Sequence, residues 1–240
     1  LYHTDWVADR TLAWLGEQGQ SPWFCWMSFP DPHHPWDVPR SELHRVNWRD
    51  LDLPPAYLDG DEARRVLGSK PKHWLGYYEA SLWSNLESPR DYVPADMTPD
   101  QVREINAMTH IENELIDEAC QRVIDYLKAH DLFDHTDIFF TTDHGELQGD
   151  YGLMFKGPYH VDALMRLPFI WKPGQIGVEP QVIDEPVGHV DLAPTFCAIA
   201  GIEPEHMDGG VLPTSADEAS QQGRETCLLY TSPSPRDFQV

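Results

Sequence analysis

"TTDHGELQGDYGLMFKGPYH", residues 141 to 160, packs an acid–histidine pair, four glycines and a lysine into twenty positions. It follows "DIFF", an apolar run that reads as a central parallel strand covered by helices on both faces. In open α/β sheets, ligands bind beyond the carboxyl ends of the strands, where Asp143 and His144 fall. A carboxylate beside an imidazole can hold a divalent metal; the alternative is an Asp that helps the turn while His hydrogen-bonds locally. Lys156 stands in a Gly-flanked loop, "FKGPY", with few acids nearby in sequence. An ammonium there suits a tetrahedral oxyanion, although an exposed loop lysine has the same pattern.

Further elements extend the α/β alternation in both directions. "SPWFCWMSFP", residues 21 to 30, reads as a buried strand that runs into the Pro-rich loop "DPHHPWDVP". His33 in that loop follows its strand as Asp143 follows its own, so both loops open at one sheet edge in this reading. It can assist an ester leaving group or merely pack and cap the loop; His34 receives no role. Residues 40 to 97 read as an irregular, partly helical excursion. "MTPDQVREINAMTHIENELIDEACQRVIDYLKAH" predicts a long helix with Thr98 as N-cap, Pro99 at the first position and Gln101 completing a capping box. Its stripe of Val102, Ile105, Met108, Ile111, Leu115, Ala119, Val123 and Leu127 is expected to bury against a sheet. "RLPFIWKPG" predicts a second strand. "VDLAPTFCAIAGI" predicts a helix capped by Asp191 and stopped at Gly201.

The 240 residues can bury a real core, and 41% hydrophobic content is ordinary for a globular chain. A net charge of −23, from 17 basic and 40 acidic residues, repels nucleic acid and anionic membranes and excludes both as expected partners. It also repels anionic substrates, so handling one demands a metal or a placed lysine. No run is long and apolar enough to predict a membrane span. Cys25, Cys120, Cys197 and Cys227 fit no zinc spacing and read as free, buried thiols. The chain opens "LYHTDWVADR" without Met or leader, which suggests a missing upstream part. "CLLYTSPSPRD", residues 227 to 237, resembles translated sequencing adapter, so 227–240 is treated as a non-native scar and 1–226 as a partial catalytic domain.

Three segments together resemble the sulfatase family of the alkaline-phosphatase-like superfamily. "FPDPHHPWDVP" is similar to its P-H-x-P loop, the opening stretch to its metal-and-lysine segment, and "VGHVDLAPTFCAIAGI" to its S-H-x-D-L-x-P-T helix. The resemblance implies a layered α/β domain with a mostly parallel central sheet flanked by helices, incomplete at both ends. It implies that Asp143 and His144 ligate a divalent metal, Lys156 binds the anion's oxygens and His33 assists at the leaving-group oxygen. Ca²⁺ is the family's metal, but an Asp-His pair where many members have Asp-Asn makes Mn²⁺ an alternative. The family's C-x-P-x-R motif, source of its formylglycine nucleophile, is absent, as are its N-terminal Asp pair and G-K-x-H segment. Truncation upstream of residue 1 is the expected reason, and the chain alone is expected to be inactive. The implied substrate is a small-molecule or saccharide sulfate ester; the alternatives are a phosphonate or phosphate ester, or a dead relative that only binds such ligands.

Overall fold

The computed structural model describes residues 2–19, 21–82, 91–175, 178–203 and 205–223; the suspected scar at 227–240 lies outside the described residues. The chain divides into two compact units, Leu1–Phe133 with His144–Leu167, and Asp134–Asp143 with Pro168–Val240.

The first unit is helical. It holds α1 (His3–Leu15), α2 (Gly60–Gly68), α3 (Lys72–Tyr78), α4 (Pro99–Ala129) and α5 (Asp162–Met165). The capping box at α4 forms as the sequence predicts: Thr98 Oγ1 accepts from Gln101 N, and Gln101 Oε1 accepts from Thr98 N. Two otherwise orphaned backbone donors are satisfied locally, which is why this boundary can be read from sequence. The expected stripe is only partly right. Val102, Ile111, Ala119 and Leu127 are buried, but Ile116 is buried where Leu115 is half-exposed, and Ala107 and Glu112 join the buried face. Within this unit α4 packs on α1 and on the turn Trp48–Asp50 rather than on a sheet. Arg122 of α4 also pairs with Asp5 and Asp9 of α1.

The core of this unit is assembled from α2, α3 and the opening stretch itself. Ala63, Leu67, Trp74, Tyr77 and Tyr78 pack with Leu147, Leu153, Met154, Phe155 and Tyr159. Each large side chain so buried contributes about 1.5–3 kcal/mol. Tyr77 also donates a 3.1 Å hydrogen bond to the Met154 carbonyl, so its hydroxyl is buried at little cost. The chemistry-bearing stretch is therefore anchored as core.

Residues 21 to 30 correct the sequence reading. They belong to no β-ladder among the described residues, and Phe24 and Trp26 are 62% and 69% exposed. Exposure alternates along the run with the period of a strand, so one face is apolar and solvated. Apolar composition alone does not bury a segment, because burial needs a second layer. Cys25, Cys120 and Cys197 are free, as expected, but half-buried rather than buried. Burial still pushes the Cys25 and Cys120 thiols above their ordinary pKa, which keeps them poor nucleophiles.

The second unit holds β1 (Ile138–Thr141), β2 (Phe169–Lys172), α6 (Leu192–Ile199) and α7 (Ala216–Gln222). β1 pairs with β2 antiparallel, Phe139 opposite Trp171. The expected parallel pairing of β1 is thus not the one formed among the described residues. A doubly apolar run does not fix the direction of its neighbour, nor is it covered on both faces here, since Phe140 is 42% exposed. Phe139 stacks on Trp171 and meets Phe196 of α6 edge-on, with centroids 5.1 and 5.0 Å apart. Asp191 precedes α6 as expected, but its carboxylate does not cap that helix. It accepts from Gly188 N at 3.0 Å and Gly210 N at 2.9 Å. Thr195 continues the seam, donating to the Asp191 carbonyl and accepting from Leu212 N. The D-L-x-P-T pattern thus stitches residues 188–195 to 210–212. Gly201, in the left-handed region at φ 68°, follows the end of α6 as predicted.

Glu112 is the exception in the helical unit. It is 0% exposed, and neither carboxylate oxygen has a well-formed hydrogen bond among the described residues. Burial above all, then the neighbouring Asp31 and Asp37 carboxylates, pushes its pKa up to about 8, against slight relief from the Asp37 amide. A raised folded-state pKa makes Glu112's contribution fully present below the ordinary carboxyl range and lost as pH rises through about 8. Thermal unfolding of Glu112→Gln should therefore lose part of the wild-type fall in Tm between about pH 5 and pH 8. Identical slopes in both proteins would contradict the assignment.

Candidate active site

The loop after His144 is built from tight turns. Leu147 N donates to Phe155 O and Gly149 N to Leu153 O, both at 2.9 Å, closing a compact hairpin-like loop. Gly152 sits at φ 70° with Leu58 O only 2.4 Å from where a Cβ would stand, so no other residue fits. Phe155 also lies in the left-handed region, at φ 64°, which is unfavourable for an aromatic residue. Its ring is held in place by Trp36 stacked at 5.7 Å, His34 at 4.6 Å and Tyr92 at 5.4 Å. Packing outweighs the backbone strain, and Lys156, the next residue, is aimed by it.

Lys156 Nζ lies 2.6 Å from His33 Nε2 across a sequence separation of 123 residues. The expected sheet edge shared by the His33 and Asp143 loops is not formed among the described residues, since no strand leads into His33; His33 meets Lys156 instead. His33 Nδ1 is 2.7 Å from the His34 carbonyl, which selects the Nδ1–H tautomer and puts the lone pair on Nε2. Lys156 is thus the donor and His33 the acceptor. His34, given no role from sequence, stacks on His33 with centroids 4.1 Å apart.

Asp143 and His144 are consecutive residues at the boundary of the two units, Asp143 exposed and His144 half-buried. The His144 Nδ1 lies 2.7 Å from Gly145 O, which again leaves the lone pair on Nε2, the form that ligates metal. Gly145 is required by a close approach: its N donates to Leu164 O, and an added Cβ would stand 1.8 Å from Ala163 O. A carboxylate and an imidazole are metal donors by type, but no three His, Cys, Asp or Glu side chains converge as a cage among the described residues. Two ligands leave a hard cation's shell unfilled.

Glu146 is what the sequence reading overlooked. Lys156 was expected to have few acids near it, yet this carboxyl lies within electrostatic reach of Lys156, His144 and His33. Burial dominates and raises its pKa despite these three favourable neighbours. Its place two residues after His144 was visible, but its burial depends on the fold of the loop.

The sulfatase family model matches residues 1–202. The chain belongs to the sulfatase family. It is 29% identical over 206 residues to the uncharacterized sulfatase YidJ of Escherichia coli (strain K12), covering 85% of this chain and 37% of the relative. It is 27% identical to an arylsulfatase of Clostridium perfringens (strain 13 / Type A), covering 94% and 44%. Among solved structures it superposes on the phosphonate monoester hydrolase of Silicibacter pomeroyi with a TM-score of 0.75 at 27% identity, covering 90% and 42%. This sulfatase-family chain thus has the alkaline-phosphatase-like α/β fold, and it spans less than half the length of these relatives.

The Gly145 contact yields a direct test. Gly145→Ala forces backbone apart and should destabilise the protein by about 1–3 kcal/mol or more. Urea unfolding of the variant at wild-type stability would contradict the close approach.

Proposed function

We propose that this chain forms part of a metal-dependent hydrolase of organic sulfate esters. The observation that carries the reading is the 2.6 Å approach of Lys156 Nζ to His33 Nε2, from two loops distant in sequence and both similar to sulfatase motifs. Lys156 binds the tetrahedral anion as a point charge, in a protein whose net charge of −23 otherwise repels it. The pair holds one proton between two nitrogens, and an ester oxygen leaving beside it can take that proton. The His34 carbonyl keeps His33 in the tautomer this requires. Asp143 and His144 supply part of a metal's ligands, with Ca²⁺ or Mn²⁺ as the candidates. When bound, the metal supplies Lewis-acid polarisation and the formylglycine of the family supplies covalent attack on sulfur or phosphorus. These 240 residues contain no C-x-P-x-R motif.

A phosphonate or phosphate ester is the second reading. It is favoured by the fold match to the Silicibacter pomeroyi phosphonate monoester hydrolase and by the Asp-His pair.

Assay of the protein at its full natural length on 4-nitrophenyl sulfate and phenylphosphonate monoesters separates the two. The first reading expects the sulfate to be the better substrate, and a dominant phosphonate rate overturns it in favour of the second. Lys156→Ala should lower kcat on the preferred ester by about 10²–10³-fold, the loss typical of one transition-state donor. The 240-residue chain itself should show no turnover, since loss of a covalent nucleophile in a serine protease costs on the order of 10⁶ in rate. Measured hydrolysis by this chain overturns that expectation.

A further inference from the structure

Asp31 lies two residues before His33 and is 7% exposed, an unusual depth for a loop carboxylate. Both of its oxygens are engaged by the start of α1. His3 Nε2 meets Oδ1 at 2.5 Å, and Thr4 Oγ1 donates to Oδ2 at 2.6 Å. Thr4 is itself buried. A carboxylate held by charge-assisted bonds near a helix N-terminus is favoured twice over, by the short bonds and by the helix dipole.

The link from Asp31 to His33 is short and stiff. Pro30, Pro32 and Pro35 fix their own φ angles, and His33 N donates to Pro30 O at 3.1 Å, closing the turn around Asp31 and Pro32. Moving the Asp31 carboxylate therefore moves His33. On its far side the loop is restrained by the Trp36–Phe155 stack. The turn bearing His33 is thus held at one end by α1 and at the other by the Lys156 loop.

We propose that Asp31 is a positioning residue, whose clamp onto His3 and Thr4 sets the Pro30–His33 turn so that His33 Nε2 faces Lys156. For catalysis this rests on the sulfate-ester reading above, but the positioning itself does not.

The test reads the His33 ring directly, by long-range ¹H–¹⁵N spectra of the full chain. In the wild type His33 should show two distinct ring-nitrogen signals, protonated Nδ1 and unprotonated Nε2. In Asp31→Ala these should collapse toward the average of the two tautomers. Asp31→Asn, which retains one acceptor for Thr4, should fall between the two. In the full-length hydrolase Asp31→Ala should also lower kcat by up to about 10²-fold, the penalty of misplacing a group by an ångström, with KM little changed. A folded Asp31→Ala whose His33 signals match wild type overturns the proposal. If that variant does not fold, the His3→Ala/Thr4→Val double variant takes its place, and unchanged His33 signals there overturn it equally. If the protein hydrolyses no ester at all, the ring signals still decide on the clamp, so the two failures remain distinct.

Discussion

The candidate site depends on a single contact: the ammonium of Lys156 against the imidazole nitrogen of His33, 2.6 Å apart. In a chain with 40 acidic and 17 basic residues, a lysine would ordinarily find a carboxylate. Here its hydrogen-bond partner is an imidazole nitrogen, and the nearest acid, Glu146, acts on it only through space. That geometry demands order on both sides. On the Lys156 side it is the left-handed Phe155, gripped by Trp36, His34 and Tyr92. On the His33 side it is a turn between prolines, tied through Asp31 to α1.

The same unit carries polar groups at unusual depth. Asp31 is tolerated because both oxygens are bonded. Glu112, with no such bonds, responds by favouring its neutral form. Both carboxyls are buried, and Asp31 is near enough to help raise the Glu112 pKa, but only Asp31 has bonded oxygens. Removing the His3 and Thr4 bonds would leave Asp31 in the position Glu112 already occupies, which is why the clamp and the buried glutamate belong to one balance of charge.

What was legible in the sequence was local or carried by motif. The α4 capping box needs only residues 98 to 101, and it forms as read. His33 and Lys156 are each legible singly from a motif-bearing loop, but their contact is not, because it depends on the fold that brings the loops together. What was not legible depended on tertiary partners. The run at 21 to 30 is as apolar as a core strand, yet Phe24 and Trp26 face solvent because apolarity does not create a covering layer. Glu112 escaped notice because a polar residue beside an apolar stripe ordinarily points outward. Asp191 has the sequence of a helix cap, but its carboxylate serves the amides of nearby Gly188 and distant Gly210. Glu146 stood in plain view beside His144, and only the closing of the loop gives it its burial and charged neighbours.

The most direct measurement is a crystal structure of the full-length protein grown with orthovanadate and Mn²⁺. The account predicts vanadate oxygens within hydrogen-bond distance of both Lys156 Nζ and His33 Nε2, with the metal on Asp143 and His144. Vanadate bound elsewhere, with Lys156 and His33 still in contact only with each other, would contradict it.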